Sequence, residues 1–263
     1  MKKRGQVTIF IILAIIIVVL GVLAYFFYDD IKISLGFGVE SPRGFMESCL
    51  NEDIQGAVDR LSLQGGNLDP MHYVLYDGEK VSYLCYTNEY YKLCVMQQPM
   101  LKQHIETQLK EYMQSRVDDC FDKLVEKYEK AGYEVRLTPG ETKVELLPKR
   151  IVTSFGHNLA LRKGEDTQVY GDEAGQKIDI SLNNNLYELI SIANSILTWE
   201  ATAGDAEVMT YMDYYHDLKV EKKKQSDGTT VYILTDRNTE DKFMFASRSL
   251  AWPPGYGLNE IIV

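Results

Sequence analysis

"YEVRLTPGETKVELLPKRIVTSFGHNLALRKGE", residues 133–165, alternates apolar and polar positions along much of its length. A period of two belongs to a strand with one buried face, because successive side chains leave a strand on opposite sides. Pro139-Gly140 reads as a turn and Pro148 as a break, which predicts three strands here. Outward in both directions the pattern changes. Ser41 followed by Pro42 is a helix start, and Met46, Leu50, Ile54, Ala57, Val58 and Leu61 recur at three- and four-residue spacing until Gly65-Gly66, predicting a helix over 42–63. "MHYVLYDGEKVSYLCYTNEYYKLCV" (71–95) holds two β-prone runs around Asp77-Gly78, a hairpin signal. After Pro99 a long helical face runs from Leu101 through Cys120 to Tyr128 and stops at Gly132.

On the far side, a helix over 184–202 is predicted with Leu186, Leu189, Ile190, Ala193, Ile196, Leu197 and Trp199 inward, then a shorter one over 206–217 capped by Asp205. "LKVEKKK", an Asp227-Gly228 turn, "TVYILTD" and "KFMFASRSL" read as closing strands. Helices and strands come in blocks, so the expected fold class is α+β with amphipathic helices and an antiparallel sheet. The expected division is a basic leader and transmembrane helix over 1–28, a linker over 29–41, a helical part with the tyrosine-rich hairpin over 42–132, and an α+β part over 133–263.

The transmembrane expectation rests on Val7–Phe27, 21 residues without a charge. As a helix the run is roughly 31 Å long, about the thickness of a bilayer's hydrocarbon core. Lys2, Lys3 and Arg4 precede it, while Tyr25–Tyr28, Asp29 and Asp30 follow. Positive charge stays cytoplasmic and aromatic rings settle at the interface, so residues from about 29 onward are expected outside. "KKRG|QVTIF" resembles the class III signal peptides of archaeal type IV pilin-like proteins, in which a basic leader ends in Gly and Gln opens the mature chain. The resemblance covers about residues 2–27. It implies cleavage between Gly5 and Gln6 by a prepilin-type membrane peptidase, with the hydrophobic helix kept. Type IV pilins usually carry Glu near the fifth mature position; Phe10 stands there in this chain.

Composition narrows the classes. Apolar residues make up 45% of the 263 and aromatics 11%, which fits a folded exterior rather than a disordered stalk. The leader holds three of the 28 basic residues, leaving 25 against 38 acids, a net −13 beyond it. Such a surface excludes nucleic acid as a partner. Cys49, Cys85, Cys94 and Cys120 lie on the expected exterior side, where disulfides form. No two are spaced by two to four residues, so a zinc site is not expected. Cys85 and Cys94 bracket a short turn-rich loop, and Cys49 and Cys120 sit on the apolar faces of two helices. The expected pairing is therefore Cys85–Cys94 and Cys49–Cys120, although four cysteines allow three connectivities.

Motifs that name a reaction are absent. His72, His104, His157 and His216 sit in no nucleophile pattern, and "SFGHN" (154–158) is no G-x-S-x-G elbow. "GFGVESPRG" lacks the lysine and following helix of a phosphate loop, so no cofactor is expected. Asp118-Asp119 and Glu165-Asp166 read as solvated acids, and Lys222–Lys224 beside a turn as a charged hairpin, since lysine on edge strands discourages aggregation. "AWPPGYG" can form a rigid contact loop of exposed aromatics beside prolines, but the burial habit of aromatic rings favours Trp252 as a core plug. With no catalytic or metal residue named, the expected function is a membrane-anchored, surface-exposed, pilin-like protein in a structural, adhesive or assembly role. Its expected partners are the lipid bilayer, the processing peptidase and other surface subunits. The alternative is a membrane-tethered extracellular enzyme or solute-binding receptor with an unidentified site.

Overall fold

The structure, a computed structural model, describes residues 16–19, 22, 40–171 and 176–253. Helix α1 (Pro42–Leu63) begins where Ser41 Oγ accepts from Gly44 N at 3.2 Å, with Pro42 in the first turn. A proline there gives up an N–H that has no helical acceptor anyway. Helix α2 (Leu101–Lys130) is thirty residues long and buries Ile105, Leu109, Met113, Val117, Phe121 and Leu124. Met46, Leu50, Ile54, Val58 and Leu61 of α1 join that stripe in one core.

The strands are β1 (Tyr73–Tyr76), β2 (Glu79–Tyr86), β3 (Val95–Met96), β4 (Glu134–Thr138), β5 (Thr142–Leu147), β6 (Arg150–Phe155), β7 (Asn158–Lys163), β8 (Asp166–Tyr170) and β9 (Ile178–Asn183). After α3 (Leu186–Ala203) and the six-residue α4 (Met209–Tyr214) come β10 (Leu218–Lys224), β11 (Thr229–Asp236) and β12 (Lys242–Arg248). They form a six-stranded sheet ordered β1-β2-β12-β11-β10 with β3 beside β2, and two three-stranded sheets, β4-β7-β8 and β5-β6-β9. Asp77 and Gly78 turn the β1–β2 hairpin with φ of 51° and 88°. Two positive values in succession are what a type I′ turn demands. Helix α3 lies on the six-stranded sheet, while α1 reaches both that sheet and β9, and α2 lies on β5. The main core is shared by all three layers, from Met46 through Ile151 to Phe245.

Several expectations are corrected. No helix among the described residues is long and apolar enough to cross a membrane. The fold class is therefore α+β with antiparallel and mixed sheets, not α+β behind a single N-terminal transmembrane helix. Crossing needs about 20 apolar helical residues; of the expected span over 7–27, only Ile16–Val19 and Val22 are described, and these are helical. The leader, Gly5 and Gln6 lie outside the described residues. The main sheet is also not purely antiparallel. β12 runs parallel to β2, with a register shift between Ala246 and Ser247. The three strands expected over 133–165 are four, because Gly156-His157 splits the last into β6 and β7. That break has a steric cause: a Cβ at Gly140 would stand 1.9 Å from the Gly156 carbonyl oxygen, so the two corners touch backbone to backbone. Asp205 caps nothing, since α4 starts four residues later and the Asp205 carboxylate pairs with Lys222.

Candidate functional site

The two disulfides staple different parts of this frame. Cys49 and Cys120 join α1 to α2 with Cα atoms 6.2 Å apart, and Cys85 joins Cys94 at 5.4 Å. The second bond closes the loop between β2 and β3. That loop is further tied to the chain after β12: Thr87 N donates to Arg248 O at 3.1 Å, Leu250 N to Lys92 O at 2.8 Å, and Tyr91 N to Ala251 O at 3.0 Å. Cys94 N donates to Ser249 Oγ at 3.0 Å. A loop so short, cross-linked and bonded along its length has little freedom left.

Two rings stand out from it and a third from the chain it is bonded to. Tyr90, Tyr91 and Trp252 are all exposed, and Trp252 at 59% is no core plug. Tyr91 and Trp252 meet edge to face with centroids 5.2 Å apart, an arrangement that the ring quadrupoles favour. The Arg248 guanidinium lies 5.5 Å from the Tyr90 ring centre. Leu93 and Val95, further along the same stretch of chain, also expose apolar side chains.

Behind the loop sits a carboxyl the sequence reading passed over. Glu200 is 2% exposed on α3. Tyr232 Oη donates to its Oε1, and Ser247 Oγ donates to Oε2 at 2.9 Å. The backbone carbonyl of the same residue accepts from Ser249 Oγ at 2.9 Å. Burial holds the Glu200 carboxyl above its ordinary range; the Tyr232 and Ser247 hydroxyls oppose this, Asp205 adds to it, and Lys222 opposes it. Burial likewise pushes the Tyr232 hydroxyl up. The signal was available: Glu200 falls seven residues after Ala193 and four after Ile196, on the apolar stripe. Trp199, assigned to that stripe, is instead 55% exposed.

The histidines do not converge. His72 packs edge-on to Tyr86 at 4.3 Å, His104 Nε2 meets Asn67 Oδ1 at 2.8 Å, and His216 is exposed. His157 is buried, stacked on Phe121 at 4.2 Å, with Nε2 3.7 Å from Asp118 and Nδ1 without a partner. Burial lowers its pKa, and Asp118 only partly offsets that. A lowered histidine pKa supports the fold fully above the ordinary value near 6.5, and that support is lost as pH falls through the folded value. His157→Phe keeps a ring against Phe121 and removes the titration. Thermal melts from pH 7 to pH 5 are expected to show a shallower loss for the variant; an unchanged slope would assign the acid sensitivity elsewhere.

An open cleft of about 410 Å³ lies between α2 and β5, lined by Lys102, Glu106, Lys110, Lys143 and Glu145 among others. Two of its lysines are paired, Lys102 with Glu106 at 2.6 Å and Lys110 with Glu141. Asp118-Asp119 and Glu165-Asp166 are exposed. Among the described residues no group of three or more His, Cys, Asp or Glu could hold a metal ion. Comparison with protein families, curated proteins and solved structures found no match to this chain.

Proposed function

We propose that this chain is a surface-exposed, non-enzymatic protein that works by contact, in an adhesive or structural role on the exterior of a cell. The observation that carries this reading is the rigid aromatic patch formed by Tyr90 and Tyr91 of the Cys85–Cys94 loop and Trp252 of the chain bonded to it after β12. Large exposed rings held in place contribute contact area with little loss of side-chain freedom, which is why aromatics are enriched at interfaces. Two disulfides and a net −13 beyond the leader suit an oxidising, exterior setting. The resemblance of "KKRG|QVTIF" to pilin-like leaders supports the same side of the membrane and a pilin-like export route.

The competing reading, a tethered enzyme or solute receptor, calls for a concave site with convergent polar groups. The cleft between α2 and β5 is open, and two of its three lysines, Lys102 and Lys110, are already paired with neighbouring glutamates, which favours contact over catalysis. Expression of the triple variant Tyr90→Ala, Tyr91→Ala, Trp252→Ala in the producing cell tests the proposal. Loss of most cell–cell or cell–surface attachment is expected, about tenfold or more if the rings include an interface hot spot, with both disulfides and circular dichroism unchanged. Full attachment by a correctly folded triple variant would overturn it.

A further inference from the structure

The two edges of the six-stranded sheet differ in a way the fold itself does not require. β10 is one edge, and five of its seven residues are charged: Lys219, Glu221, Lys222, Lys223 and Lys224. Glu221 bridges Lys219 at 2.8 Å and Lys223 at 3.0 Å, so that edge carries a row of fixed charge. Lysine on an edge strand is the usual guard against pairing with another chain. The opposite edge, β1, is Tyr-Val-Leu-Tyr and carries no charge. Leu75 is 68% exposed there, and Met71 just before it is 98% exposed. Lys80, one strand further in, lies over the Tyr73 ring at 5.2 Å, with Asp69 at 4.0 Å.

The backbone of β1 is half used. Tyr83 N donates to His72 O, and the register continues Val74 with Val81 and Tyr76 with Glu79. In an antiparallel pair, bonded residues alternate with unbonded ones. Residues 72, 74 and 76 therefore bond to β2, and the N–H and C=O groups of Tyr73 and Leu75 point away from the sheet.

We infer that β1 pairs antiparallel with β1 of a second copy of this chain, about a two-fold axis through Val74. Centred there, Tyr73 of each copy exchanges both backbone bonds with Leu75 of the other, and every outward group of β1 is satisfied. On one face each Tyr73 ring then lies across from a leucine, and on the other Val74 meets Val74; aromatic–aliphatic and β-branched pairs are favourable across strands. Shifting the centre to Tyr73 or Leu75 would draw in Met71, outside the strand, or Asp77, whose φ of 51° turns the chain away. A copy fits better than a charged foreign segment, because β1 offers such a segment no charge to grip. Pairing β1 to β10 of a copy is opposed by the lysine row, so the contact is isologous and closes at two subunits. It involves a surface distinct from the ring patch and stands whether or not that patch is adhesive.

Cysteine scanning of the full chain tests it. All four native cysteines are in disulfides, so one added thiol is the only free one. Val74→Cys places two thiols in an unbonded cross-strand pair with Cα atoms about 4.5 Å apart, within disulfide reach. Mild oxidation of Val74→Cys in cell envelopes is expected to give a covalent dimer on non-reducing gels, at least fivefold more than Tyr73→Cys or Leu75→Cys. Adding Leu75→Lys to Val74→Cys should abolish that dimer while leaving the monomer's melting temperature within a few degrees. Equal cross-linking at all three positions, none at any, or a dimer indifferent to Leu75→Lys would each overturn the inference.

Discussion

Replacing Cys49 and Cys120 together by serine is expected to lower the melting temperature by about 8–16 °C. The bond closes a separation of 71 residues, and the chain-entropy model assigns a closure of that length about 4 kcal/mol. For a folded region of this size each kcal/mol moves the midpoint by about 2–4 °C. Cys85→Ser with Cys94→Ser removes a bond that closes only a nine-residue separation and should cost less, about 2–3 kcal/mol in the same model. The helices also pack without the bond, through Leu50, Val58, Leu109 and Val117, so the serine pair should unfold earlier but still fold. Differential scanning calorimetry of the two double variants checks the ranking. Equal midpoints for both would mean that the reduced chain keeps its helices together when unfolded.

Glu200→Ala is expected to destabilise by about 3–5 kcal/mol, because it strands the Tyr232 and Ser247 hydroxyls in the core. Glu200→Gln keeps the shape, an acceptor and a donor, and should cost far less. The two variants also separate hydrogen bonding from charge. The folded carboxyl is held above its ordinary value near 4.5. Its contribution is therefore complete below that value and is lost as pH rises through the folded one. Glu200→Gln should remove that part of the pH dependence and come closest to wild type, or exceed it, on the alkaline side. Chemical denaturation at several pH values decides; a glutamine variant as damaged as the alanine one would show that the charge itself is needed.

What could be read from sequence was local. Ser41-Pro42 and the spacing from Met46 to Leu61 gave helix 42–63, and α1 is Pro42–Leu63. Asp77-Gly78 marked a turn because only a few residue types accept two positive φ values in succession. Cys49 and Cys120 could be matched because both lay on apolar helix faces. The failures were non-local. Nothing in residues 79–86 or 242–248 announces a parallel partner, since that pairing depends on how the intervening chain returns. Trp199 and Glu200 were exchanged because a helix near its end turns large apolar surface to solvent, while a carboxyl with two hydroxyl partners can be buried. The ring patch lay half in view: the sequence offered "AWPPGYG" as a contact loop, yet only the ladder from Thr87 to Tyr91 against Arg248–Ala251 brings Trp252 beside Tyr91.

The parallel contact of β2 with β12 also sets a timetable. Tyr83 pairs with Ala246, so roughly 160 residues must emerge before β2 gains its inner neighbour, a separation that slows folding. Helices α1 and α2 and the Cys49–Cys120 bond need only residues up to 130 and can form while the rest is still being made. Until the last strand arrives, β2 offers an unfilled side to any extended chain nearby. A nascent protein stalled short of Lys242 would therefore be the species most at risk of aggregation, and termination just before β12 should be more harmful than the small number of residues lost suggests.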